Sequence, residues 1–114
     1  MESMRDIPRD EWHGLFGVVC AAVRGSRVEV EAASLELGDQ TVVPWLPLRD
    51  IEFDAEHDRV AVMLDGVDHL ILHPRSIAVL EGSGGITGVA IVTDDDVKEV
   101  LRFRMPLLLP AATS

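Results

Sequence analysis

Residues 46–75 read LPLRDIEFDAEHDRVAVMLDGVDHLILHPR, and the spacing of their apolar side chains decides the fold. Ile51, Phe53 and Ala55 alternate with Glu52, Asp54 and Glu56. A period of two puts the apolar set on one face of a strand and the acidic set on the other. His57-Asp58 then reads as a turn. Val60 to Leu64 is apolar at every position, as in a strand covered on both faces. Asp65-Gly66 between two apolar runs is the strongest short hairpin signal a sequence can carry. A two-residue turn there sets Val67 opposite Leu64 and His69 opposite Val62. Pro74 has no N–H to give to a ladder and ends the run.

Upstream, residues 1–6 read as loose, and Pro8 suits the first turn of a helix. Asp10 and Glu11 sit where acidic groups favour the positive helix end. Trp12, Leu15, Phe16, Val19 and Val23 form one helical stripe. Gly14 and Gly17 each weaken that helix by roughly 1 kcal/mol relative to alanine, so it needs tertiary packing or a close neighbour that only glycine permits. Gly25 is a C-terminal stop. From Arg27 the period changes to two: Val28, Val30 and Ala32 alternate with Glu29 and Glu31. Thr41 to Leu46 is strand-like, but Pro44 and Pro47 assign it to an edge or an extended connection.

Downstream, Ser76 to Leu80 and Val89 to Val92 are short strands around the glycine-rich turn EGSGG, and Asp94–Asp96 is a further turn. Leu101, Phe103 and Met105 alternate with Arg102 and Arg104. The tail PLLLPAATS fits neither regular element, and its leucines suggest docking in a groove of this subunit or another. The expected fold class is α+β: an N-terminal helix packed on a curved antiparallel sheet or small barrel of six to seven strands. The expected organisation is one domain over residues 1–114, with 1–6 and 111–114 loose.

The chain has 114 residues, 47% hydrophobic and 26% charged. It buries roughly two-thirds of its unfolded surface, enough for one core without metal or disulfide support. Ten basic against twenty acidic residues give a net charge of −10. Phosphate backbones and anionic membrane faces repel such a surface, so no nucleic acid and no membrane is expected as partner. One cysteine and an N-terminus without an apolar leader fit a cytoplasmic protein.

Several stretches, IPRDEW, LPLRDIEFD, DGVDHLILHPR, EGSGG and LRFRMPLLLP, together resemble a family of short bacterial proteins known only as a domain of unknown function. The resemblance runs from Ile7 to Pro110, and Asp65–Arg75 is its most specific part. It implies a single-domain bacterial protein and no activity, cofactor or ligand.

Five constellations could carry chemistry. Asp65, Asp68, His69 and His73 combine imidazole with carboxylate, the commonest metal and acid–base pairing. On a strand, however, His69 and His73 lie about 13 Å apart, and Pro74 disfavours the helical turn that would bring them together. Asp54, Glu56, Asp58 and Asp65 imitate a calcium loop but place Arg59 where that loop needs glycine. Cys20 lies away from the helix end that would activate a thiol and reads as a buried structural residue. Gly82–Gly85 leads into a strand, unlike a phosphate-binding loop. Trp45, Leu46, Leu107, Leu108 and Leu109 form a candidate apolar contact. No cofactor is implied. The expected function is a non-catalytic cytoplasmic domain that works through protein contact or as a homodimer. The alternative is a small-molecule or metal binder, or an enzyme, using Asp68, His69 and His73.

Overall fold

The computed structural model describes residues 2–36 and 38–107. Strand β1 (Ser3–Ile7) leads through a 3₁₀ turn (Arg9–Glu11) into helix α1 (Trp12–Val23). Seven strands follow: β2 (Arg27–Ser34), β3 (Gly38–Asp54), β4 (Arg59–Leu64), β5 (Val67–Leu72), β6 (Pro74–Gly82), β7 (Gly85–Thr93) and β8 (Lys98–Leu107). Every neighbouring pair is antiparallel, in the order β1-β6-β7-β8-β2-β3-β4-β5. The α+β class is as expected. The sheet is not closed, and it has eight strands rather than six to seven. The additional one is β1: residues read as loose pair with β6 from Ser3↔Glu81 to Ile7↔Ile77.

β3 also departs from expectation. It is one 17-residue strand through both prolines, not an edge strand or a connection. It pairs with β2 as far as Pro47 and with β4 from Leu48 onward. Val28 pairs with Leu46 and Val30 with Val43, so Pro44 and Trp45 together oppose Glu29 in a bulge. A bulge leaves residues outside the ladder, which is where proline is tolerated. Pro47 stands at the change of partner, and its carbonyl accepts from the Asp65 N–H at 3.0 Å. Gly25, in the left-handed region at φ 87°, ends the helix and donates to the Leu48 carbonyl at 2.8 Å. The helix terminus is thereby fastened to the point where β3 changes partner.

The helical stripe buries Trp12, Phe16, Val19, Cys20 and Val23, chiefly against β3. Facing them are Val28 and Val30 of β2, Leu48, Ile51 and Phe53 of β3, and Val60, Val62 and Leu64 of β4. Ile77, Val79, Val89, Ile91, Leu101 and Phe103 extend the same core under β6, β7 and β8. Each such side chain contributes roughly 1.5–3 kcal/mol. Among the described residues no helix is long and apolar enough to cross a membrane.

Candidate functional site

The structure does not gather the four residues singled out from sequence. Asp65 sits in the β4–β5 turn. Asp68, opposite Met63, and His69, opposite Val62, point to opposite faces of β5. His69 turns inward, and its Nε2 lies 2.6 Å from Glu99 Oε1 on β8 in a half-buried pair. His73 lies at the corner between β5 and β6 with an exposed ring, its Nδ1 3.2 Å from Asp58 Oδ2. Among the described residues no three His, Cys, Asp or Glu side chains are placed to hold one metal ion. This geometry gives the Asp68, His69 and His73 reading no common centre.

The candidate contact is dispersed too. Leu107 is buried in the core beside Ile86. Trp45 and Leu46 are half-buried, and the Arg104 guanidinium lies 5.7 Å over the Trp45 ring. Leu108 and Leu109 lie outside the described residues.

Two motifs that are distant in sequence, IPRDEW and DHLILHPR, meet in space. Arg9 donates to Asp58 Oδ1 at 2.9 Å and to the Pro74 carbonyl at 3.5 Å. Its guanidinium stands 4.8 Å over the Trp12 ring and 5.4 Å over Phe53. Asp58 (φ 50°) and His73 (φ 54°) both occupy the left-handed region, which is uncommon outside glycine although Asp and His tolerate it best. Their backbones are joined, the His73 N–H donating to the Asp58 carbonyl at 2.9 Å. The knot therefore ties the 3₁₀ turn, the β3–β4 turn and the β5–β6 corner together. Its charges are spent on one another, so it acts as a clasp.

The Arg9 hydrogen bond first, and the His73 contact second, hold the Asp58 carboxyl below its ordinary value. A lowered carboxylate contributes stability above its unfolded pKa, near 3.9, and loses it as pH falls through the folded value. Asp58→Asn is accordingly expected to be less stable than wild type in urea at pH 7, with the gap closing as pH falls below about 4. A gap of constant size from pH 7 to pH 2.5 would contradict this assignment.

Two openings flank α1. One, of about 270 Å³, is lined by His13, Gly17, Cys20, Arg24 and Asp50. There the buried Cys20 thiol donates to Asp50 Oδ1 at 3.2 Å and accepts from Arg24 at 3.4 Å, so the thiol is structurally engaged, as its place on the stripe suggested. The other is an open groove of about 490 Å³. Ile7, Leu15, Val18 and Ile86 form its apolar floor and walls, with Arg5, Asp10 and Glu11 around it. Gly14 lines this groove, and a Cβ there would meet no atom of the described residues within 4 Å; the same holds for Gly17. Among the described residues the helix glycines therefore serve no close approach, so of the two expected supports of the helix it is tertiary packing that the structure shows. The groove is the feature sequence reasoning missed, and Gly14 was its visible signal.

Comparison with known proteins places the chain in a wider group. A model for a family of unknown function (DUF5335) matches residues 3–112. An uncharacterised protein of Aquifex aeolicus (strain VF5) is 30% identical over 105 residues, covering 91% of this chain and 95% of that protein. No solved structure matches the chain.

Proposed function

The chain belongs to this family of unknown function, and from the geometry of its groove we propose that it is a non-catalytic domain working by protein–protein contact. One observation carries the reading: an apolar groove beside α1 whose helical wall is left bare at Gly14. A glycine inside a helix costs about 1 kcal/mol relative to alanine, and no close approach among the described residues accounts for it here. A bare wall lets an incoming side chain approach the helix backbone closely. Asp10 and Glu11 lie at the rim, and the chain carries a net charge of −10. The matching occupant is an apolar segment of another protein flanked by lysine or arginine. The reading takes residues 1–114 as one domain working in a reducing cytoplasm, in keeping with its single cysteine.

A labelled synthetic peptide of leucines and lysines at helical spacing tests it by fluorescence anisotropy. Binding is expected, and it should weaken with added salt. Gly14→Leu fills the groove from an open helical position and should weaken binding about tenfold, or 1.4 kcal/mol, while leaving the circular dichroism spectrum unchanged. Equal binding by wild type and Gly14→Leu removes the groove as the contact. So does binding that appears only after residues 108–114 are deleted, because the groove would then already have an occupant.

A further inference from the structure

Among the described residues the sheet has two free edges, β1 and β5, and they are built differently. β1 reads SMRDI, carries Arg5 and Asp6, and is closed off by Pro8. Charge and proline are the usual means by which an edge is kept from pairing. β5 reads VDHLIL, with one carboxylate and neither proline nor lysine. Its Leu70 and Leu72 are 41% and 52% exposed. An edge of this kind offers unpaired N–H and C=O groups beside apolar side chains. We propose that β5 pairs antiparallel with β5 of a second copy about a two-fold axis, so that one sheet runs through both subunits.

A second copy is the occupant because the edge complements itself. A two-fold axis sets the same patch against itself, and antiparallel backbone pairing satisfies both strands equally. The register that sets Leu70 opposite the partner's Leu70 also places Leu72 opposite the partner's Asp68. Arg59 of β4 is the register partner of Leu72, so it stands on the same face, one strand in from the edge. Arg59 and the partner's Asp68 are then two strand spacings apart, about 9.6 Å between backbones, with Leu72 between them. A long guanidinium side chain and an aspartate close that span over the leucine.

On its own subunit Arg59 is loosely held. Its Nε lies 3.4 Å from Asp54 Oδ2, yet that atom is buried without a hydrogen-bond partner among the described residues. The contact is one of charge alone, and the cation stays available for a second carboxylate. Symmetry repeats the Arg59–Asp68 contact on both sides of the central leucines. On an acidic molecule, this edge is where two copies meet with opposite charges opposed.

Light scattering on a sizing column tests the proposal with four proteins. Wild type is expected at the mass of a dimer and Leu70→Lys at that of a monomer. Arg59→Asp alone opposes two carboxylates, and Asp68→Arg alone opposes two guanidinium groups, so each is expected as a monomer. In their equimolar mixture the introduced carboxylate of one chain faces the introduced guanidinium of the other, while the native Asp68 and Arg59 face each other across the second contact. The mixture should therefore recover the dimer mass. A monomeric wild type at high concentration, a dimeric Leu70→Lys, or folded single variants that do not associate when mixed would each overturn it. Gly14→Leu should leave the dimer intact, and Leu70→Lys should leave peptide binding intact, which separates this edge from the groove.

Discussion

Gly88→Ala is expected to lower stability by about 3 kcal/mol and the melting temperature by about 12 °C. Gly88 stands on β7 opposite Arg102, just past a register shift that begins at Ile86. A Cβ built there would lie 2.4 Å from the Leu101 carbonyl oxygen, with the Leu101 carbonyl carbon and Arg102 Cα within 3.5 Å. All three are backbone atoms, so no rotamer change relieves the clash. Leu101 is completely buried, and moving its carbonyl means moving β8 against a close-packed core. The expected response is displacement of β8 from β7 along the bulge. Urea unfolding measures it, with Gly14→Ala as the matched control. That second alanine meets no atom of the described residues within 4 Å, so it is expected to add about 1 kcal/mol of stability. If Gly88→Ala unfolds within about 0.5 kcal/mol of wild type, which is the range of an ordinary surface substitution, the bulge yields freely and the steric account fails.

The contrast between these glycines shows what sequence can and cannot carry. Gly14, Gly17 and Gly88 look alike in the chain, yet one is locked by a backbone carbonyl and two stand in open space. That difference comes from which strand lies across, and β7 meets β8 through a bulge that no periodicity announces. The elements governed by local pattern were legible. The stripe from Trp12 to Val23 is the buried face of α1, and the change of period at Arg27 marks β2. The Asp65-Gly66 turn sets Val67 against Leu64 and His69 against Val62 as expected. The resemblance to a bacterial family without assigned function agrees with the match over residues 3–112.

What failed was decided at long range. β1 has no apolar alternation; it is a strand because β6 offers it a free edge. Pro44 and Pro47 read locally as breaks in a strand that a bulge and a change of partner allow to continue. Of the candidate site, the rise of a strand, about 13 Å over four residues, is the local rule that keeps His69 from His73. The partners they found, Glu99 thirty residues and Asp58 fifteen residues away, depend on how the sheet curls, and the groove depends on where α1 leaves the inner face uncovered.

Trp12→Ala is expected to cost about 4 kcal/mol, a large share of the roughly 5–15 kcal/mol that holds a domain of this kind together. The indole is 2% exposed, and three contacts depend on it. Its Nε1–H donates to the Ile7 carbonyl at 2.8 Å, which fixes the end of β1 to the start of the helix. Its ring meets Phe53 edge-on, with centroids 5.2 Å apart and planes at 80°, joining the helix to β3. Its face carries the Arg9 guanidinium, which in turn holds Asp58 and the Pro74 carbonyl. Alanine leaves a cavity among these groups and orphans the carbonyl of Ile7. Trp12→Phe separates the two effects: it keeps most of the apolar area and loses the hydrogen bond, so about 1–3 kcal/mol is expected from the unpaired carbonyl and altered fit. With Trp45 as the remaining tryptophan, fluorescence reports urea unfolding in both variants. The ordering should be wild type, then Trp12→Phe, then Trp12→Ala. The alanine variant should also lose protection of the β1 amides in hydrogen exchange, because the indole is what binds that edge strand to the helix. Full β1 protection in a folded Trp12→Ala would show that pairing with β6 alone holds the strand, and that the indole only fills space.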